Sequence, residues 1–191
     1  MKKNILKKPV IRNMCLAAMF MALGIVLPFL TGQIPQIGTM LLPMHIPVLL
    51  CGFICGWQYG AVVGFILPPL RYVLFGMPPI FPTGVAMAFE LAAYGLISGL
   101  LYSHSRWKCV FALYKSLIAA MLGGRLVWAL VRIILSGVSG NAFTWKMFVS
   151  GAFLTALPGI VLQLILIPAV MVALDKAGLV HFSKKPEDQL Q

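Results

Sequence analysis

The sequence predicts an all-α membrane protein with six transmembrane helices and with both the amino and the carboxyl end cytoplasmic. Three observations lead there. The 191 residues are 61% hydrophobic and only 10% charged, far from the usual mixture of about half apolar and about a quarter charged residues in soluble domains. The apolar residues fall into runs, and a spanning helix needs ~20 of them to cross ~30 Å of hydrocarbon, so the length accommodates six helices with short connections. The lysines and arginines gather at alternate ends of those runs, which is a topology signal. The expected organisation is a basic cytoplasmic tail at 1–12, a six-helix membrane domain at 13–174 and a cytoplasmic tail at 175–191.

The first helix is expected at 13–30, behind a segment carrying Lys2, Lys3, Lys7, Lys8 and Arg12. The run is longer than a signal-peptide core and lacks a small-x-small cleavage site, so it reads as a retained helix. An uncharged outer connection with Pro35 follows at 31–43. A second helix is expected at 44–56 and a third at 59–75, with Trp57 and Gln58 as the turn. The second run is short. It either borrows residues from the preceding loop or that loop dips into protein, which the bilayer permits only where it lines protein or water. Pro68 and Pro69 should kink or break the third helix, because proline lacks a backbone donor and clashes with the preceding turn.

The fourth helix is expected at 82–102, the fifth at 109–135 and the sixth at 146–174, the last containing Pro158 and Pro168. A polar link at 103–108 and a glycine-rich loop at 136–145 separate them. With the amino end inside, Lys2, Lys3, Lys7, Lys8, Arg12, Arg106, Lys108, Lys176, Lys184 and Lys185 face the cytoplasm and chiefly Lys146 lies outside. Reversing the chain would invert that asymmetry.

The net charge of +11 is therefore read as topology, not as a nucleic-acid footprint, which requires a basic patch on a folded polar surface. Cys15, Cys51, Cys55 and Cys109 all fall in or beside apolar stretches, where a free thiol behaves as a small hydrophobe. Neither a disulfide nor a metal site is expected, and no cofactor. A G-x-x-x-x-G-K-[ST] phosphate loop, an H-E-x-x-H helix and a G-x-S-x-G elbow are all missing from the sequence, so the chemistries those motifs carry are not expected of this chain.

Ionisable side chains inside a span cost ~2.5 to 3.5 kcal/mol each and usually face a protein interior or a cavity. Here they are Arg71, Glu90, Arg125 and Arg132, with His45 at the start of its helix. Helical spacing aligns Arg125, Trp128 and Arg132 on one face, and Thr83, Met87, Glu90 and Tyr94 on another. One reading is an outward-facing pocket for a small polar or anionic ligand, with arginine supplying forked donors and Trp128 or Tyr94 a stacking surface. The other is a structural pair of Glu90 with Arg71 or Arg125, and an Arg132 that snorkels to the interface. Small residues four apart recur at Ala18 and Ala22, Gly52 and Gly56, Gly60 and Gly64, and Ala120 and Gly124, a spacing that lets membrane helices approach closely.

The alanine pair in Ala18-Met19-Phe20-Met21-Ala22 and the stretch Leu-Leu-Pro-Met-His-Ile-Pro-Val-Leu-Leu-Cys-Gly at 41–52 join the size, helix number and basic ends in one pattern. It resembles the substrate-binding membrane subunits (S components) of energy-coupling factor (ECF) transporters, the bacterial vitamin importers. The resemblance implies a multi-pass protein of the bacterial cell membrane that binds a vitamin-type ligand from outside, between helices four to six. The loop between helices one and two would gate it. Ala18 and Ala22 would contact the transmembrane coupling subunit, two separate ATPase subunits would supply energy, and the body would topple in the bilayer to release its load. Glu90, Arg125, Trp128 and Asn141 become ligand candidates, beside Arg71, Tyr94 and Arg132. The nickel and cobalt members begin Met-His and this chain begins Met1-Lys2, which disfavours a metal ligand. The surplus of arginine over glutamate favours an anionic ligand such as pantothenate over thiamine, with riboflavin the other candidate. The rival reading, a stand-alone secondary transporter or channel, would show internal repeats or a path of carboxylates, and only Glu90 lies mid-membrane.

Overall fold

In the computed structural model, residues 7–31, 40–105, 109–138 and 156–177 are described. Helix α1 covers Lys7–Val26 and passes into a 3-10 turn at Leu27–Thr31. It starts six residues before the expected position. Lysine, arginine and asparagine tolerate helix well enough, and Pro9 stands in the first turn, where its missing N–H is not needed.

Helix α2 covers His45–Cys55, and residues 32–39 of the loop before it lie outside the described residues. Eleven residues span ~16 Å, about half the hydrocarbon thickness. Yet ten of the eleven are buried, the mark of a helix enclosed by others on all sides. It touches α1 and the two helices that follow. A helix with no lipid face need not match the bilayer. Before it, Leu42 is held at φ 50°, a left-handed conformation uncommon for a bulky residue. Its carbonyl accepts the His45 N–H at 3.1 Å, which fixes where α2 begins.

The break after α2 falls at Gly56 (φ 100°), not at Trp57 and Gln58. Only glycine takes that backbone readily, and Trp57 is already the first residue of α3, Trp57–Phe75. The helix runs through Pro68 and Pro69 to Phe75 and stops at left-handed Gly76, whose N–H bonds to the Tyr72 carbonyl at 2.7 Å. An irregular turn at Ile80–Gly84, with Phe81 extended, leads into α4, Val85–His104. Helix α5 is Val110–Val138 and α6 is Leu157–Lys176. Pro158 in the first turn of α6 suits its start. Expected residues 146–155 of the sixth helix and most of the loop before it lie outside the described residues.

Every regular element among the described residues is helical. The stretches Val10–Phe29, Ile80–His104, Val110–Gly137 and Leu157–Lys176 are each long and apolar enough to cross a membrane. Side chains such as Phe111 and Val73, each more than three-quarters exposed, form the outward apolar surface that a bilayer would cover.

Helix α4 is the centre of the packing, with its principal contacts to α3, α5 and α2. The glycine pairs explain how three helices cross so tightly. A Cβ on Gly60 would lie 2.7 Å from the Gly52 Cα and 2.9 Å from the Gly95 carbonyl oxygen, and one on Gly95 would strike the backbone of Gly60. These small residues are internal. Ala120 is likewise fully buried, whereas Ala18 and Ala22 are exposed on α1, beside buried Ala17 and Phe20.

Replacing Gly95 by valine should therefore lower stability by ~1–3 kcal/mol through overpacking, read as a lower unfolding midpoint in detergent. Gly137→Ala, in the last turn of α5, where nothing among the described residues lies within 4 Å of an added Cβ, should leave the midpoint unchanged or slightly raised, since alanine is the better helix former. Equal destabilisation by both would remove the close crossing as the cause.

Candidate functional site

The polar residues that the sequence places inside the spans do not all converge. Glu90, five residues into α4, and Arg125, near the middle of α5, do meet: Arg125 Nη1 lies 2.9 Å from Glu90 Oε1, with both side chains at least 94% buried. The contact is ionic and not a well-aligned hydrogen bond, since Glu90 Oε1 meets no hydrogen-bond geometry. His45, at the start of α2, brings Nε2 to 3.6 Å from the same oxygen. Its ring packs edge-on against Tyr94, centroids 5.0 Å apart and planes at 86°. Glu90 and Tyr94 are one helical turn apart on α4 and so present both groups to α2. Gly124 completes the seat, because a Cβ there would lie 2.6 Å from the Tyr94 ring.

Three helices thus place an acid, a guanidinium, an imidazole and a phenol ring at one buried point. Neutralisation holds it together. An unpaired charge in such surroundings would cost several kcal/mol, and Arg125 with Glu90 brings the sum of their charges to zero. Hydrogen bonding, by contrast, is left incomplete. Arg125 Nε and Nη2 and both ring nitrogens of His45 have no hydrogen-bond partner among the described residues. Native proteins leave few buried polar atoms unsatisfied, so this set keeps unused hydrogen-bonding capacity among the described residues.

Gln163 on α6 belongs to the same class. It is fully buried, and both atoms of its amide lack a partner among the described residues. It lies one turn after Gly159, where an added Cβ would meet the backbone of Met40 and Leu41, the segment that leads into His45. Neither His45 nor Gln163 was among the candidates taken from the sequence. A lone amide between Leu162 and Leu164 in an apolar span was the available signal for Gln163, since a polar group there is costly unless it has a role.

The other candidates stand elsewhere. Arg71 is buried but donates from Nη1 to the Ile25 carbonyl at 2.8 Å. Its guanidinium lies 5.6 Å from the Phe29 ring centroid and 5.7 Å from that of Phe75. This aromatic clamp, reinforced by the Phe29–Phe75 edge contact, ties α3 to the end of α1. Of the two ion pairs open to Glu90, the one with Arg125 is formed. Arg132, half-buried, stacks over Trp128 at 5.6 Å, one to two turns further along α5 than Arg125. Asn141 lies outside the described residues.

Breaking the pair on one side should be costly. Glu90→Leu or Arg125→Leu alone should lower unfolding free energy by ~3–5 kcal/mol, because each strands a buried charge, and the double variant should recover most of that loss. Chemical unfolding in detergent measures all three; additive losses would show that the two side chains do not act as a pair.

A family model described as the ECF transporter substrate-specific component matches residues 12–171. Comparison with curated proteins and with solved structures gives no match.

Proposed function

The chain belongs to the substrate-specific components of ECF transporters, and from that premise we propose that it is the high-affinity binding subunit for uptake of a vitamin or related small molecule. It passes the molecule to an ATP-driven energy-coupling module in a bacterial cell membrane. The single observation that carries the ligand site is the buried, charge-neutral centre of Glu90 and Arg125 with His45 and Tyr94, in which Arg125 Nε and Nη2 and both His45 ring nitrogens lack hydrogen-bond partners among the described residues. All six helices cross or enter the bilayer in this reading, both ends are cytoplasmic, and the centre lies in the outer half. Lys176 in the last turn of α6 accords with that orientation under the positive-inside rule.

The geometry narrows what the ligand brings. The surplus of arginine is smaller than it looks, since Arg71 is occupied by the aromatic clamp and Arg125 is balanced by Glu90. What Arg125 retains is its Nε and Nη2 edge, two donors in a rigid fork. That edge suits a group with paired acceptor oxygens, the carboxylate of a pantothenate-like molecule or the imide of a flavin-like one. Trp128 and Arg132, further along α5, would border the path, and Asn141 would add to it from the following loop.

Delivery requires a second surface. Ala18 and Ala22 line an outward apolar groove of about 490 Å³ between α1 and α3, together with Met14, Met21 and Val62. Unlike the glycines at the α3–α4 crossing, these alanines are not used inside the bundle. Small residues on an exposed face permit close helix approach, which supports the α1–α3 groove as the seat of the transmembrane coupling subunit. Two ATPase subunits complete the transporter.

The small molecule that copurifies in mild detergent, identified by mass spectrometry, should bind Arg125→Ala about tenfold or more weakly, as expected for losing hydrogen bonds to a charged group. Unchanged affinity would take Arg125 out of the site. Ala18→Leu with Ala22→Leu should leave that affinity intact while abolishing ATP-coupled uptake in liposomes carrying the coupling proteins. Loss of binding and uptake together would instead make the pair part of the internal packing.

A further inference from the structure

A second groove is lined by none of the residues of the ligand centre. It runs between the beginning of α5 and the end of α6, has a volume of about 560 Å³, and is walled by apolar side chains with Tyr114 and Lys176 as its polar members. Ala169 and Ala173, one turn apart on α6, keep that wall low. Along α6 the groove is lined from Ile165 to Lys176. They are eleven residues apart on one helix, hence about 16 Å, close to half of a ~30 Å hydrocarbon layer. The groove is therefore one leaflet deep.

We propose that this groove binds an anionic glycerophospholipid, with one acyl chain lying between α5 and α6 and the phosphate on Lys176.

Length and charge carry the assignment together. An acyl chain fills a slot that begins at the headgroup level and ends at the bilayer midplane. Exposed Lys176 provides the cation at the headgroup level, and a tyrosine near its end of the groove is the aromatic type enriched at that depth. Lys115 is also exposed and follows Tyr114 on α5, and the sequence places Arg106 and Lys108 just before that helix. Half-buried Asp175, the acidic group next to Lys176, leaves this end with a net positive balance. Basic residues at a membrane surface attract anionic headgroups. In the orientation proposed above, the lipid belongs to the cytoplasmic leaflet.

The test uses the full chain in mild detergent, exchanged with equal amounts of palmitoyl-oleoyl phosphatidylglycerol and phosphatidylcholine and examined by native mass spectrometry. The glycerol lipid should be retained about fivefold over the choline lipid, the ratio expected for one lysine beside an anionic headgroup. Lys176→Gln should bring the two near parity, while Lys115→Gln, outside the groove wall, should keep the preference. Ala169→Phe with Ala173→Phe should reduce retention of both lipids, with unfolding midpoints measured alongside to confirm folded protein. Parity in the native chain, or an undiminished preference in Lys176→Gln, would overturn the proposal. Undiminished retention of both lipids in the phenylalanine variant with lost ATP-coupled uptake would also overturn it, and would assign the groove to a protein partner.

Discussion

A membrane interior offers no water to a polar atom, and the described residues are organised around a place where several such atoms are gathered. Glu90 and Arg125 are tolerable there because each removes the other's charge at 2.9 Å. That contact fixes the rotation of α4 against α5. The same rotation turns Tyr94 toward His45, and hence sets how α2 sits against α4. Close glycine crossings among α2, α3 and α4 then bring the backbones near enough for short side chains to reach the centre. Packing and polarity are not separate layers of design in this bundle: the glycines make the approach, and the ion pair selects its register.

The pair is balanced in charge but unfinished in hydrogen bonding among the described residues, and the proposed binding centre rests on that combination. A structural lock gains from saturating every donor, as Arg71 nearly does by holding a backbone carbonyl and two aromatic faces. Arg125 and His45 retain unused polar atoms. The strained Leu42 lies three residues before His45, and left-handed backbone in a bulky residue persists only where its surroundings enforce it, commonly next to a working site. An exposed alanine groove on α1 and a lysine-mouthed groove between α5 and α6 give the outer surface two faces of different character. One suits another helix, and the other suits a lipid.

Composition and periodicity carried the helical class, the number of helices and most of their limits to within a few residues, because apolar runs long enough for a bilayer have few other uses. The places where pattern was insufficient have identifiable causes. The turn at Gly56 was assigned to Trp57 and Gln58 because aromatic and amide residues look interfacial, while the glycine's backbone freedom decided the matter. Pro68 and Pro69 do not break α3, which reaches the expected limit at Phe75, since tertiary packing can carry a helix past a local penalty. In the site, Glu90, Arg125 and Tyr94 were legible as costly residues sharing faces. Which arginine pairs with Glu90 depends on helix rotation and could not be read from spacing along one helix. His45, noted only as an ionisable residue at the start of its helix, and Gln163 stay outside the candidate site because neither has another polar residue three or four positions away to mark a stripe.

Whether the ligand meets the buried pair can be read from the carboxylate itself. The chain holds two glutamates, Glu90 and Glu187, so protein grown on carbon-13 glutamate gives an infrared spectrum in which Glu90→Gln identifies the Glu90 bands. Comparing protein that retains its copurified molecule with protein stripped of it should shift those carboxylate bands, because the added hydrogen bonds to Arg125 and His45 change the field on Glu90. Bands that stay in place through loading and stripping would contradict the assignment of this centre as the site of capture.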